Sequence, residues 1–195
     1  MQRLIVAITG ASGAIYGIRA LEISAPSAAS RPTSSSPRPA GGTIADETDL
    51  ALAEVQALAH QVHGYRDIGA AISSGSFQTS GMLVAPCSAK TLSGLAHCFD
   101  DDLVVRAADV CLKERRLVLL FRETPLHAGH IALMEQATRN GAIVMPPMPA
   151  FYPRPQSIAE MVTQTVGRAL DLLGLDARLV KRWKDPPPSL DEAAE

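Results

Sequence analysis

Arg3-Leu-Ile-Val-Ala-Ile-Thr9 is an unbroken apolar, β-rich run that stops at Gly10, and the helical spacing of Ile15, Ile18 and Leu21 starts just past Gly10-Ala-Ser-Gly-Ala14. A strand with no polar face is satisfied only inside a sheet covered on both sides. Feeding it through a glycine turn into a helix opens a βαβ crossover, the connection that parallel strands require. The same pattern recurs downstream. Gly81-Met-Leu-Val-Ala-Pro-Cys87 predicts a second buried strand, with Ser88-Ala-Lys-Thr91 starting a helix and Asp102 capping another over Leu103 to Arg116. Leu117 to Phe121 and Ala142 to Met145 predict further strands, separated by a helix from His127 to Asn140 that Gly141 stops. A last helix runs from Ser157 to Leu173. Thr43 to Gln61 is helical in pattern, capped near Asp46 or Asp49, with Leu50, Val55 and Leu58 as core candidates, and Gly64 to Phe77 reads as irregular. The expected class is α/β: a three-layer, Rossmann-like or flavodoxin-like fold around a mainly parallel sheet, in one domain over residues 1–195 with a flexible tail over 185–195.

Composition narrows the partners. A formal net charge of -2 with 19% charged residues gives no bulk attraction to nucleic acid or to an anionic membrane. The start, MQRLIVAITG, lacks a basic leader region, and no apolar run approaches the roughly 18 residues that span a bilayer, so a cytoplasmic protein is expected. Cys87, Cys98 and Cys111 are odd in number and contain no C-x-x-C, which supports neither a disulfide framework nor a zinc ribbon. The pairs His60/His63 and His127/His130 have helical spacing but no completing ligands, so no metal is expected. Cys87 follows Pro86 with no identifiable base and reads as a small buried apolar residue.

In a parallel sheet the loops at the carboxyl ends of the strands converge on one crevice. Here those loops carry Gly10, Ala11, Ser12 and Gly13; Ser88, Ala89, Lys90 and Thr91; and Arg122 with Glu123. Glycines allow close backbone approach, and helix starts offer free N–H groups to an anion. Taken singly, GxxG is equally an ordinary turn, Ser-x-Lys-Thr a helix cap, and Arg-Glu a surface pair. Together, after successive strands, they favour a phosphate site with a cation in Arg122 and an acid/base group in Glu123.

The ordered series GASGA, ETD, PCSAKT, RAADVCLKERR, RETPL, PPMPAFYPRPQS and a terminal Arg-Trp resembles the UbiX-type flavin prenyltransferases, over most of the chain. Older names for that family are 3-polyprenyl-4-hydroxybenzoate or phenylacrylic acid decarboxylases. The resemblance implies metal-independent transfer of dimethylallyl from dimethylallyl monophosphate to reduced FMN, making prenylated FMN for UbiD-type decarboxylases. It implies that Gly10, Ala11, Ser12, Ser88, Ala89, Lys90, Thr91 and Arg122 hold FMN. By the same resemblance Lys113, Arg122, Tyr152 and Arg168 surround the allylic phosphate, Glu123 with Ser12 is the proton-handling pair, Glu47 is the other catalytic carboxylate, and Trp183 lies nearby. It further implies a homo-oligomer, commonly a dodecamer, with sites between subunits. The family reads KERRPLVL where this chain has KERRLVLL, and the missing proline bears on where Lys113 sits.

The larger departure is SAPSAASRPTSSSPRPAGG, from Ser24 to Gly42, where a second core strand belongs. Its apolar content is too low for such a strand, so residues 24–42 are expected to be irregular and the second strand lost or disordered. Shifting translation back one nucleotide turns every TCN serine codon into NTC, which encodes Phe, Leu, Ile or Val. Ser34-Ser35-Ser36 then becomes apolar, which favours a frameshifted segment. The alternative function that follows from a lost strand is a noncatalytic flavin-binding or assembly subunit.

Overall fold

The computed structural model of the protein describes residues 2–24, 30–36 and 38–184. Among these described residues six strands form one parallel sheet in the order β3-β2-β1-β4-β5-β6. They are β1 (Gln2–Ala7), β2 (Ser30–Ser36), β3 (Gln61–Gly64), β4 (Gly81–Cys87), β5 (Leu117–Phe121) and β6 (Ile143–Val144). The helices are α1 (Ala14–Ser24), α2 (Arg38–Glu47), α3 (Leu52–Ala57), α4 (Ala89–Ala96), α5 (Leu103–Glu114), α6 (Ala128–Arg139) and α7 (Ile158–Leu172). The strand order reverses between β1 and β4, the switch point at which doubly wound sheets form their ligand crevice.

Alternation along the central strands divides the core in two. Ile5, Ala7, Met82, Val84, Leu117 and Leu119 face one layer, with buried partners on α4, α5 and α6. Leu4, Val6, Ile8, Leu83, Ala85, Val118 and Leu120 face the other, with partners on α1, α2, α3 and α7. The continuous apolar runs in the sequence therefore reflect strands buried on both faces, and three layers result. Ser88, Asp102 and Ser157 each accept a hydrogen bond from the first turn of α4, α5 and α7, as N-caps do. Gly141, at φ +105°, follows the end of α6 in a conformation that favours glycine.

Two expectations are corrected. The second strand is not lost: Ser30–Ser36 lies between β1 and β3, with Leu4 opposite Pro32, Val6 opposite Ser34 and Ser34 opposite Val62. Within the segment expected to be irregular, Ser24 closes α1 and residues 38–42 lie in α2, whereas residues 25–29 and 37 lie outside the described residues. Pairing in a parallel sheet uses main-chain N–H and C=O groups that serine and threonine possess as fully as valine. The crossover between two helices fixes the position, and a polar sequence can still occupy it.

The helix expected over Thr43 to Gln61 is two helices and the start of β3. The Thr48 hydroxyl donates to the Ile44 carbonyl at 2.8 Å and accepts from the Leu50 amide at 3.3 Å, diverting the main chain from helical pairing. Neither Asp46 nor Asp49 caps the second piece: Ala51 occupies the N-cap position, and its N–H donates to Glu54. Val55 is buried, with Leu50 and Leu58 packed partly against the same core. The tail expected to be flexible lies outside the described residues.

Candidate active site

The loops after β1, β4 and β5 enclose a crevice of about 430 Å³ lined by Gly10, Ala11, Ser12, Ser88, Ala89, Lys90, Arg122, Glu123 and Thr124. Buried Thr9 locks two of its walls together. Its hydroxyl donates to the Pro86 carbonyl at 2.6 Å and accepts from the Ser88 amide at 3.0 Å, joining the end of β1 to the start of α4. The third wall is tied by Arg122, whose amide donates to the Cys87 carbonyl at 3.0 Å and whose Nε donates to the Ser12 carbonyl at 3.2 Å. A guanidinium thus spans the glycine turn and the β5 loop.

The turn itself demands glycine. Gly13 has φ +101°, and a Cβ there would lie 3.1 Å from the Tyr16 ring and 3.4 Å from Arg122 Nε. At Gly17 a Cβ would lie 2.2 Å from the Ala85 carbonyl oxygen, so this glycine lets α1 press against β4. A glycine inside a helical pattern carries no turn signal, so the sequence alone does not single out Gly17.

Glu47, at the end of α2, reaches this turn from outside the crevice wall. Its Oε2 accepts from the Gly13 amide at 2.8 Å and the Ala14 amide at 3.0 Å, and its carboxylate is hydrogen-bonded by the Ser12 side chain. Partial burial opposes its ionisation. The Ser12 hydroxyl, the two amides and the Arg122 charge together outweigh that burial and hold the Glu47 carboxyl below its ordinary range. The α1 N-terminus, read from sequence as an anion site, therefore has a carboxylate of this chain as its anion.

Glu123 is exposed at the crevice, its Oε1 accepting from the Thr124 amide at 3.1 Å. Thr91 lies inside α4, its hydroxyl 3.0 Å from that of Ser88. Burial pushes the Cys87 thiol up, in keeping with a small core residue. Among the described residues no group of His, Cys, Asp or Glu is placed to hold a metal ion.

Four residues implied by the family resemblance, Lys113, Tyr152, Arg168 and Trp183, lie elsewhere in the chain. Lys113 is in the last turn of α5, 3.8 Å from Asp109. Tyr152 accepts from Gln164 Nε2 at 3.2 Å and meets Trp183 edge to face at 5.4 Å. Arg168 on α7 pairs with Asp171 at 2.6 Å, and Arg182 joins the same carboxylate at 2.8 Å. Gln164 organises this second cluster, exchanging hydrogen bonds with the Lys181 main chain at 3.0 Å in both directions. Nothing in the sequence flags Gln164, whose partners are distant along the chain. Tyr152 is 41% exposed, Trp183 68% and Phe151 72%, so the cluster faces outward.

A family model described as Flavoprotein matches residues 44–166. The chain is 54% identical over 187 residues to the flavin prenyltransferase UbiX of Escherichia coli K12, covering 94% of this chain and 99% of that protein. It is 51% identical over 182 residues to the UbiX of Thauera aromatica, covering 93% of each. Among solved structures, a UbiX in complex with FMN and dimethylallyl pyrophosphate superposes with a TM-score of 0.91 at 45% identity, covering 95% of this chain and 99% of that one. A dodecameric FMN-dependent UbiX-like decarboxylase from Escherichia coli O157:H7 gives 0.90 at 43% identity, covering 94% and 100%. Likeness of this extent, over a crevice built at the sheet's switch point, makes the chain a member of the UbiX flavin prenyltransferase family.

Proposed function

We propose that this protein transfers a dimethylallyl group from dimethylallyl monophosphate to reduced FMN, making prenylated FMN for UbiD-type decarboxylases. The observation that carries the reading is Arg122: it bridges to the Ser12 carbonyl while its neighbour Glu123 lines the same crevice. The residues present fit a flavin, because Gly10 and Ala11 leave the crevice wall nearly bare of side chains, the start of α4 opens onto it, and Arg122 stands beside them. Reduced FMN supplies the nucleophilic ring positions N5 and C6. The chain supplies fixed charge and proton handling. The Arg122 guanidinium can take up negative charge on a departing phosphate without a metal. Ser12 and Glu47 are a hydrogen-bonded pair in which the ionised carboxylate holds the hydroxyl proton. Glu123 is the exposed carboxylate positioned to take or return a proton inside the crevice.

Tyr152, Arg168 and Trp183 complete the crevice of a neighbouring copy in a homo-oligomer. The outward exposure of Tyr152 and Trp183 supports this, as does the dodecameric relative. Lys113 joins the phosphate site by the same route. No helix among the described residues is long and apolar enough to cross a membrane, and the free cysteines suit a reducing cytoplasm. The noncatalytic alternative is disfavoured, since β2 is paired in the sheet and the crevice is assembled.

The test is anaerobic incubation of the purified protein with reduced FMN and dimethylallyl monophosphate, followed by mass spectrometry of the flavin. An FMN adduct carrying the five-carbon unit is expected. Unmodified FMN, under conditions where the Escherichia coli relative makes product, would overturn the proposal.

A further inference from the structure

Lys90 belongs to two cavities at once. It lines the flavin crevice and also a neighbouring cavity of about 480 Å³ that contains His97, Phe99, Asp101 and Asp102. It stands in the first turn of α4, where the helix dipole already presents positive charge, so a lysine there needs an external partner to be held. Tyr65, just after β3, provides one: Lys90 Nζ donates to the Tyr65 hydroxyl at 2.7 Å and lies 5.3 Å from its ring centroid. The Tyr65 hydroxyl in turn donates to Asp102 Oδ2 at 2.5 Å, and that oxygen is 3.9 Å from Lys90 Nζ. Asp102 is itself immobilised, with its side chain 7% exposed and its Oδ1 accepting from the Val105 amide at 3.0 Å. The Tyr65 carbonyl accepts from the Leu103 amide at 3.0 Å, clamping the tyrosine to the start of α5. The Tyr65 hydrogen bond, opposed by slight burial, raises the Lys90 pKa, which keeps the ammonium charged. Burial first, and then the Asp102 hydrogen bond, raise the Tyr65 pKa and keep it a phenol.

A surface lysine with four rotatable bonds ordinarily spreads its charge over much solvent, and Lys90 has a side chain 72% exposed. Here a relay of two fixed oxygens pins it beside a crevice whose other cation is Arg122. We propose that Tyr65 and Asp102 are positioning residues that hold the Lys90 ammonium at the crevice rim as a second cation for a phosphate monoester. The proposal rests on the flavin reading of the crevice, which offers two sources of that group, FMN and the allylic monophosphate.

The experiment titrates FMN and riboflavin, which lacks the phosphate, into wild type, Tyr65→Phe, Asp102→Asn, Lys90→Met and the Tyr65→Phe/Lys90→Met double variant. Phenylalanine removes one oxygen, and asparagine keeps the helix cap, so both variants retain the fold. Tyr65→Phe and Asp102→Asn should weaken FMN binding by about 3- to 10-fold, leave riboflavin binding unchanged, and Tyr65→Phe should add nothing once Lys90 is methionine. Unchanged FMN binding with an equal rise in KM for dimethylallyl monophosphate supports the proposal with the allylic phosphate as source. Equal losses for FMN and riboflavin, additive losses in the double variant, or no change in either measurement overturns it. Wild type that binds neither flavin overturns the reading of the crevice and the proposal with it, a result distinct from any failure confined to the variants.

Discussion

β4 and β2 occupy equivalent places, each an interior strand of one parallel sheet and each paired with β1, yet they share almost no chemistry. β4 reads GMLVAPC and is buried at every position. β2 reads SRPTSSS, without one Val, Ile, Leu, Met or aromatic residue. Leu4 of β1 is opposite Gly81 on one side and Pro32 on the other. The difference separates two things that strands usually deliver together. Where a strand lies is set by crossover topology and main-chain pairing; how much it stabilises is set by the apolar area its side chains remove from water.

The largest expected effect follows from the β4 side. Leu83 is fully buried, paired with Val6 and Val118 and packed in the core beneath α1 and α7. Leu83→Ala should lower unfolding stability by about 2–5 kcal/mol, the transfer loss plus a cavity. Chemical denaturation with the same m-value would read this directly. A loss below about 1 kcal/mol would mean that β4 stabilises no more than a polar strand does, erasing the contrast.

Legibility in the sequence tracks this same distinction. β1, β4 and β5 are legible because burial on both faces forces continuous apolar runs. β3 is not, because as an edge strand it buries only His63 and leaves Val62 exposed. β2 is visible only as a topological requirement, and its composition argues against the element that forms. The crevice follows the same logic. Gly10, Ser12, Ser88, Lys90, Arg122 and Glu123 are readable because each follows a readable strand. Lys113, Tyr152 and Arg168 are identified only by resemblance, since each is held by partners outside the crevice of its own chain. Tyr65 and Gln164 are invisible, their roles resting on hydrogen bonds to residues far away in sequence.

A smaller effect of opposite sign sharpens the comparison from the β2 side. The shifted reading frame places apolar residues at Ser34, Ser35 and Ser36, opposite Val6 and Ala7 of β1 and Val62, His63 and Gly64 of β3. Replacing the three serines by Leu, Val and Val should raise stability by about 1–3 kcal/mol, because an interior strand position rewards branched apolar side chains. The readout is a higher denaturation midpoint. A lower midpoint would show that the surrounding layers are built for serine, and the frameshift reading would fail with it.

The smallest effect concerns how the chain after β2 is fastened to the site. α2 follows that strand and contributes buried Ile44 to the core, but its end is held by Glu47, whose carboxylate takes the Gly13 and Ala14 amides. This is a polar fastening where β4 uses apolar packing, and it depends on pH. Burial opposes ionisation, yet the Ser12 hydrogen bond, the amides and Arg122 prevail, leaving the folded-state pKa below that of an ordinary glutamate. A depressed carboxyl contributes stability above its unfolded pKa and loses that contribution as pH falls through the folded value. Glu47→Gln retains an acceptor for one amide but has no charge to offer. At pH 7 the variant should therefore melt slightly below wild type, and the gap should close as the pH drops below about 4.5, the value at which unfolded glutamate takes its proton. Melting curves of both proteins across that window test it. A gap that persists unchanged at acid pH would mean that the shape of the glutamate, not its charge, fastens α2 to the glycine turn.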